Sequence, residues 1–288
     1  MKNVKRVQNQ NLVVNIFMRK DLKIIEWNIN QRRNFSRTNN IPQLVVNELK
    51  EQDFDIIVLT EFFKVSNWIE FINDLKKYNI FVTDNSKYKQ NDILIAIKKD
   101  IRIKSVRDIE STHGNNNPNF LQVDIEHEDK ILSVIGVRIR VGDYGNDEVK
   151  MQAEMEKRKA QNNIILNHIR PIKNPVIVIG DFNNNQRNTT ATWSINVIEK
   201  SFQKYNYTMH TPDGASIYEE DSPFAEDHIL AKNINVQNPT YSRKFVNRDN
   251  GVYRWDENFS LYNGKTKKKE SILPPYPDHA ILSAKLNF

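Results

Sequence analysis

The 288-residue sequence contains no cysteine. Disulfide bonds and zinc sites with thiolate ligands are therefore excluded. No stretch approaches the ~20 consecutive apolar residues that a membrane-spanning helix needs, so no membrane span is expected. The N-terminal apolar run 12–18 is short, is interrupted by Asn15 and has no small-residue cleavage site, which argues against a signal peptide. These absences together favour a cytoplasmic protein.

The sequence also lacks internal repeats of motifs and linkers rich in Gly, Pro or Ser. We therefore expect an N-terminal tail or strand extension over residues 1–20 and a single domain over residues 21–288, acting as a monomer. Hydrophobic residues make up 39% of the chain and aromatic residues 10%. This composition supports a sizeable core and argues against disorder.

The formal net charge of +6 favours polyanionic partners. Such partners are nucleic acids, anionic lipid headgroups and phosphorylated small molecules. The alternative is a charge that serves solubility and has no partner. The basic residues predicted to lie in loops form either a phosphate-binding rim or a solvated basic face. They are Arg32, Arg33, Arg37, Arg187, Arg243, Lys244 and the lysines at 265–269.

Hydrophobic patterning predicts an order of elements that is not a uniform βαβ repeat. Strands are expected near 22–29, 55–60, 79–84, 92–98, 101–109, 120–126, 131–139, 176–179, 227–231, 234–240 and 280–286. Helices are expected after Pro42 and near 67–78, 148–169 and 193–205. Antiparallel runs mixed with helices predict two packed sheets with helices outside.

Four hydrophobic strands stop at acidic or amide residues. The segments are WNIN (27–30), LTEF (59–62), IGDFNNN (179–185) and YPDH (276–279). Strand ends on a rigid scaffold offer side chains to a cleft. A carboxylate at the edge of the core costs free energy unless a metal ion or a hydrogen-bond donor satisfies it. Taken singly, each segment is explained better by a turn or a helix cap than by catalysis; the argument depends on their occurring together, in this order.

These segments, with AEDHIL (225–230) and PDHAIL (277–282), occur in the order found in a known family. From about residue 22 to residue 288 the chain resembles the endonuclease/exonuclease/phosphatase superfamily, which includes Mg²⁺-dependent deoxyribonucleases. The resemblance implies an α/β fold: a four-layer α/β/β/α sandwich of two mixed β-sheets packed face to face, with helices outside.

The resemblance also implies roles for individual residues. Glu61 would bind Mg²⁺, or Mn²⁺ in its place, with Asn28 and Asp278 close to the metal. Asp181 and Asn183 would orient or deprotonate the attacking water. His279, paired with Asp227, would donate to a phosphate oxygen. The chemistry is reasonable on its own terms, because a hard cation with oxygen ligands offsets the negative charge of a phosphodiester, and a neighbouring carboxylate favours the cationic imidazole.

The chain departs from the family pattern at two places. Many members have His or Tyr at the end of the strand that corresponds to 134–141, where this chain has Arg138, with Arg140 beside it. Arginine binds a phosphate oxygen through its planar fork but is a poor proton donor. After the first Asn, family nucleases often have Asp and Gly, whereas this chain has Asn30 and Gln31.

Three functions are compatible with the sequence. The first is a nuclease acting on DNA or RNA. Its aromatic side chains would stack on the bases, among them Trp193, Tyr241 and Trp255. The second is a phosphatase or phosphodiesterase acting on a small nucleotide, a sugar-phosphate or a lipid. The third is a binding protein that keeps the fold without catalysis. The intact set of Asp and His residues favours an enzyme, and the basic charge favours the nuclease.

Overall fold

The structure, a computed structural model, describes residues 21–30, 41, 43–64, 67–83, 92–108, 117–142, 147–184, 192–217, 224–242, 253–255, 260–263, 268–271, 277 and 279–288. The predicted tail 1–20 lies outside these residues, as does Asp278. The predicted basic rim lies outside them too, apart from Lys268 and Lys269, for which only the backbone is described.

The described residues form fifteen strands and four helices. In chain order they are β1 (Asp21–Asn28), α1 (Gln43–Glu51), β2 (Ile56–Phe62), α2 (Trp68–Asp74), β3 (Tyr78–Val82), β4 (Asp92–Lys98), β5 (Arg102–Asp108), β6 (Asn119–His127), β7 (Lys130–Arg138), α3 (Glu148–Ile169), β8 (Val176–Asp181), α4 (Ile195–Gln203), β9 (Thr208–His210), β10 (Asp227–Lys232), β11 (Asn235–Ser242), β12 (Tyr253–Trp255), β13 (Ser260–Asn263), β14 (Lys268–Ser271) and β15 (Ile281–Asn287).

Two six-stranded sheets carry the fold. Their strand orders are β11-β15-β1-β2-β4-β3 and β5-β6-β7-β8-β10-β9. Each sheet has one parallel pair, β1 with β2 and β7 with β8, and its other described pairs are antiparallel. Both sheets are therefore mixed. Because parallel strands end at the same edge, each pair presents two strand ends side by side.

The core is divided into three layers by the alternation of side chains along the strands. Ile24 and Val58 of one sheet pack with Val134 and Ile179 of the other in the layer between the sheets. The opposite face of the first sheet packs against residues of α1 and α2, and that of the second sheet against α3 and α4. The four-layer α/β/β/α sandwich expected from the sequence is confirmed.

Several local predictions differ from the structure. The expected helix 67–78 ends at Asp74, because Tyr78 begins β3 and its hydroxyl donates to the carbonyl of Phe54 at 2.9 Å. The predicted basic loop 265–269 ends in a strand, since β12, β13 and β14 form a small antiparallel sheet that the sequence pattern did not indicate. In the part of the chain that is described, no helix is long and apolar enough to cross a membrane.

Candidate active site

The sheet registers bring the predicted motifs to one edge of the sandwich. Asn28 lies opposite Thr60 at the ends of β1 and β2. Arg138 lies opposite Asp181 at the ends of β7 and β8, and Asp227 begins β10 opposite Asp181. Side chains alternate along a strand, so Asn28 shares the face of Ile24 that looks into the layer between the sheets. The polar strand ends therefore meet between the two sheets.

A row of hydrogen bonds joins four of these side chains. Asp227 Oδ2 lies 2.7 Å from His279 Nδ1, and His279 Nε2 lies 3.4 Å from Asn28 Nδ2. Asn28 Nδ2 also donates to Asp181 Oδ2 at 3.0 Å. The orientation of the Asn28 amide is defined, because its oxygen accepts from the backbone N–H of Asn30 at 2.9 Å. The row crosses from β10 through β1 to β8 and so connects the two sheets.

The hydrogen bonds assign a tautomer to His279. A carboxylate accepts only, so Nδ1 carries a proton toward Asp227. The amide nitrogen of Asn28 donates only, so Nε2 faces it with its lone pair. The backbone oxygen of His279 accepts from Trp27 Nε1 at 3.0 Å, which anchors the ring beside the first sheet. In this state Nε2 is the nitrogen available for proton exchange.

Asp181 is surrounded by donors. Its Oδ1 accepts from the backbone N–H of Asn183 at 2.8 Å, and its Oδ2 accepts from Asn183 Nδ2 at 2.7 Å. Asn183 Nδ2 also donates to the carbonyl of Ile139 at 2.8 Å, which ties the turn after β8 to the chain after β7. Burial and the neighbouring Asp227 raise the pKa of Asp181 to about 7, against the opposing effects of His279 and Arg138.

Glu61 and Arg138 form a buried ion pair next to Asp181. Arg138 Nη2 donates to Glu61 Oε1, and Arg138 Nε lies 3.6 Å from Asp181 Oδ2. Burial lowers the pKa of Arg138, but Glu61 and Asp181 more than offset this, and the guanidinium stays charged. Its neighbour Arg140 turns elsewhere and donates from Nε to Asn119 Oδ1.

Three residues at these strand ends have left-handed backbone conformations. The φ angles are 47° at Asn30, 50° at Glu61 and 45° at Asn183. Asparagine tolerates this region, whereas for a glutamate it is uncommon and costs about 1 kcal/mol. Such strain is typical of functional sites, where the surrounding structure holds a side chain in place. Asn30 and Asn183 turn the chain just after β1 and β8, whereas Glu61 lies within β2, where the register with β4 shifts between Leu59 and Phe62.

Buried carboxylates outnumber the cations around His279. Burial, and then the nearby Asp227, raises the pKa of Glu26 well above its ordinary value, and burial and Asp181 do the same for Glu226. Burial acts in the same direction on Asp227, but His279 and the hydrogen bond with Ser216 together outweigh it, and the pKa of that carboxyl is lowered. Glu26 Oε1 accepts from Thr60 at 2.9 Å, while its buried Oε2 accepts no hydrogen bond from the described residues. Burial and mutual repulsion therefore favour the protonated forms of Glu26 and Glu226, and a bound cation would offset that repulsion.

The types of side chain at this edge fit a hard cation, since carboxylate and amide oxygens are its preferred ligands. Within the described ranges, no three His, Asp or Glu side chains are arranged so that they could hold a metal ion. Asp278, the remaining predicted metal ligand, lies outside those ranges. Glu61 and Asn28 are therefore the described part of the predicted metal site.

The structure brings together every predicted site residue that it describes. They are Asn28, Glu61, Arg138, Asp181, Asn183, Asp227 and His279. The predicted stacking of Trp193 against bases is wrong, because its side chain is fully buried and its indole N–H donates to the carbonyl of Phe182 at 2.9 Å. Tyr241 is partly buried, and its hydroxyl donates to the backbone oxygen of Asp227 at 2.5 Å. The side chain of Trp255 lies outside the description.

Sequence reasoning missed a second row of residues behind the site. Buried Asn184 donates to the carbonyl of Ala225 at 3.0 Å, so its oxygen accepts from His228 Nε2 at 2.7 Å. His228 Nδ1 then accepts from the hydroxyl of Thr211 at 2.8 Å. One ring nitrogen donates and the other accepts, so the ring is neutral. Its hydrogen bond to Asn184 joins the turn after Asp181 to the start of β10. The signal available in the sequence was a histidine directly after the motif aspartate.

The pH dependence of stability should reveal His228. Burial lowers its pKa from 6.5 to about 4, so below about pH 6.5 the unfolded chain takes up a proton that the folded chain refuses. The neutral His228 ring therefore contributes fully to stability above about pH 6.5. As the pH falls to about 4, about 3 kcal/mol of the free energy of unfolding is lost. Urea unfolding at about pH 7 and about pH 4.5 should show a smaller pH effect in His228→Gln than in the wild type. Equal pH effects in both proteins would contradict this assignment.

Buried polar residues of α3 support the same turns. Arg158 Nη1 donates to the carbonyl of Asn183 at 2.7 Å. Glu154 accepts from the backbone N–H of Gly142 at 2.6 Å, and Gln161 exchanges hydrogen bonds with the backbone of Arg140. The helix begins at a capping residue, Asp147, whose carboxylate accepts from two backbone N–H groups of the first turn. Helix α3 therefore holds the segments that follow β7 and β8, next to Arg138 and Asp181.

Comparison with known proteins agrees with this fold. D. rerio TDP2 complexed with single strand DNA product superposes with a TM-score of 0.60 at 12% identity, covering 94% of this chain and 100% of that one. The human Nocturnin catalytic domain with bound sulfate gives 0.57 at 12% identity, covering 94% and 95%. A Bacteroides thetaiotaomicron mannosyl-6-phosphatase gives 0.59 at 14% identity, covering 93% and 100%. No curated protein matches the chain in sequence.

The family itself is identified by a sequence model. The model described as the Endonuclease/Exonuclease/phosphatase family matches residues 25–243, which is most of the chain. Members of this family act on phosphodiester and phosphate ester bonds, and they generally depend on a divalent metal. This chain belongs to the Endonuclease/Exonuclease/phosphatase family.

Proposed function

We propose that the chain is a Mg²⁺-dependent phosphodiesterase that acts as a nuclease on DNA or RNA. The observation that carries the proposal is the hydrogen-bonded row from Asp227 through His279 and Asn28 to Asp181. Hydrolysis of a phosphodiester needs an activated water on one side of phosphorus and neutralisation of charge on its oxygens. The row offers groups for both tasks within one cleft.

Asp181 is the group that orients and deprotonates the attacking water. A general base is most effective when its pKa is near the working pH, and burial raises the pKa of Asp181 to about 7. Asn183 fixes the carboxylate through two hydrogen bonds, one from its backbone and one from its side chain. The base is therefore held in one orientation before the substrate arrives.

His279 donates from Nε2 to a non-bridging phosphate oxygen once it is protonated. Its Nδ1–H is held by Asp227, which favours the cationic ring that an anionic substrate needs. Asn28 lies between His279 and Asp181, and its amide N–H groups point at both. Asn28 therefore sets the distance between the base and the donor.

Glu61, Asn28 and Asp278 hold the cation in this proposal. When bound, a divalent cation offsets the charge of the phosphate and of the leaving oxygen. The excess of buried carboxylates around His279 supports a cation here, and the oxygen ligands favour Mg²⁺ or Mn²⁺ over softer metals. Arg138, whose fork suits a phosphate oxygen, completes the binding of the substrate.

The net charge of +6 supports a polymeric polyanion as the substrate. A similar structure is bound to a single strand DNA product, which supports nucleic acid as well. The alternative is a small nucleotide, a sugar-phosphate or a lipid, and the similarity to a mannosyl-6-phosphatase structure favours it. The cytoplasmic location and the monomeric state expected from the sequence stay predictions.

Purified protein with Mg²⁺ should cleave plasmid DNA or single-stranded nucleic acid, and EDTA should abolish the cleavage, because the buried carboxylates repel phosphate without a cation. Product length on a denaturing gel is the measurement. His279→Ala, purified in parallel, controls for contaminating nucleases. If nucleic acids survive while bis-p-nitrophenyl phosphate or a sugar-phosphate is hydrolysed, the small-substrate alternative replaces the nuclease.

A further inference from the structure

The guanidinium of Arg138 lies between two carboxylates of the site. It donates from Nη2 to Glu61 Oε1, and its Nε lies 3.6 Å from Asp181 Oδ2. The Arg138 side chain is 15% exposed, against 8% for Glu61 and 1% for Asp181. An ion pair removed from water to this degree interacts more strongly than a surface pair. Arg138 therefore balances the negative charge of both carboxylates in a largely buried environment.

The pairing of Arg138 is incomplete on one side. Its buried Nε makes no hydrogen bond within the described part of the chain, and 3.6 Å to Asp181 is too long for one. The carboxylate of Asp181 is already held by Asn28 and Asn183. The guanidinium is thus bound at one end, to Glu61, and loosely placed at the other.

Glu61 has two competing partners if the proposed function is correct. The carboxylate that would bind a divalent cation is the one that accepts from Arg138 through Oε1. A guanidinium and a divalent cation on the same carboxylate repel one another strongly in a buried site. Both cannot share Glu61 at full strength.

We propose that Arg138 is an exchangeable internal counter-cation of Glu61. In the cation-free protein it holds Glu61 and Asp181 in place, and a divalent cation binds only as the guanidinium leaves Glu61. The released fork then faces the cleft, where it binds a phosphate oxygen. Cation binding and phosphate binding are thereby coupled through one side chain. This inference rests on the cation-binding part of the proposed function.

The first test measures cation binding without substrate. Titration calorimetry with Mn²⁺ should give a Kd about tenfold tighter for Arg138→Met than for the wild type, because a charged hydrogen bond no longer competes. Arg138→Lys should fall between the two, and it replaces the Met variant if that variant does not fold. Arg102→Met removes an equal charge from a 73% exposed side chain paired with Glu126, and it should change Kd by less than about twofold. An unchanged or weaker Kd in both Arg138 variants overturns the proposal.

The second test locates the side chain directly. In wild-type crystals soaked with Mn²⁺, anomalous scattering should place the ion at Glu61, with the Arg138 guanidinium beyond hydrogen-bond distance from that carboxylate. A guanidinium still bound to Glu61 beside the ion overturns the proposal. Mn²⁺ binding that displaces Arg138 in a protein that hydrolyses no phosphate ester would overturn the proposed function and support this inference.

Discussion

Asp181→Asn is expected to lower kcat by about 10³-fold or more, and to cost about 1–3 kcal/mol of stability because its NH2 group would face an N–H donor that now binds the carboxylate. The amide cannot accept a proton from water, so the proposed base is lost. Its shape is conserved, and it removes a negative charge from a cleft where burial and Asp227 already raise the pKa of Asp181. Steady-state hydrolysis with Mg²⁺ and urea unfolding measure the two quantities.

Asp55→Asn provides the matched control. Asp55 is equally buried, but it lies at the start of β2, at the opposite end from Glu61. Its carboxylate pairs with Lys98 at 3.0 Å and accepts from the backbone N–H of Lys23 at 2.8 Å. Breaking this pair should cost about 3 kcal/mol of stability and leave kcat unchanged. Wild-type turnover in Asp181→Asn would remove Asp181 from the mechanism.

Gly180→Ala is expected to cost about 4 kcal/mol of stability. Gly180 has a φ of 154°, and a Cβ there would lie 1.8 Å from the carbonyl oxygen of Val137. That oxygen belongs to β7, whose residue Val137 lies opposite Gly180 in the parallel pair, so the backbone has nowhere to move. Only glycine lets β7 approach this closely just before Asp181.

Gly214→Ala is the control for backbone strain alone. Gly214 also has a positive φ, 101°, but a Cβ there would meet nothing within 4 Å among the described residues. It should therefore cost only about 1 kcal/mol. Urea unfolding of both variants separates the conformational cost from the collision. If Gly180→Ala unfolds within about 1 kcal/mol of Gly214→Ala, the close approach of β7 does not determine stability.

The parts of the site that local pattern predicted are those carried at strand ends. WNIN, GDFN and the late DH pair each follow an apolar strand, and a strand end is recognisable from its own few residues. The structure gathers the motifs that it describes at one edge because parallel pairs in both sheets end there. The packing of two sheets with helices outside follows in the same way, since continuous apolar runs mark strands that are buried on both faces. The resemblance to the family supplied the four-layer order.

The residues that local pattern missed depend on distant partners. Glu26 lies in an apolar strand, and its alternation with Ile24 indicated a buried face, yet nothing nearby in the chain identifies Thr60 as its partner. Trp193 was interpreted as a platform for bases because it is aromatic, but its side chain is buried and its indole N–H donates to the carbonyl of Phe182. Long-range packing determined both outcomes.

The amino-acid sequence by itself determined most strands of the two large sheets, the placement of helices outside them and the presence of acidic and amide groups at strand ends. These properties are set by residues adjacent in the chain, through periodicity and turn chemistry. Only the tertiary structure decided that Arg138 pairs with Glu61 and that His228 stays neutral behind Asp181. Ion pairing and burial depend on which groups lie close together in space, and the folded sheets bring together groups that are far apart in the chain.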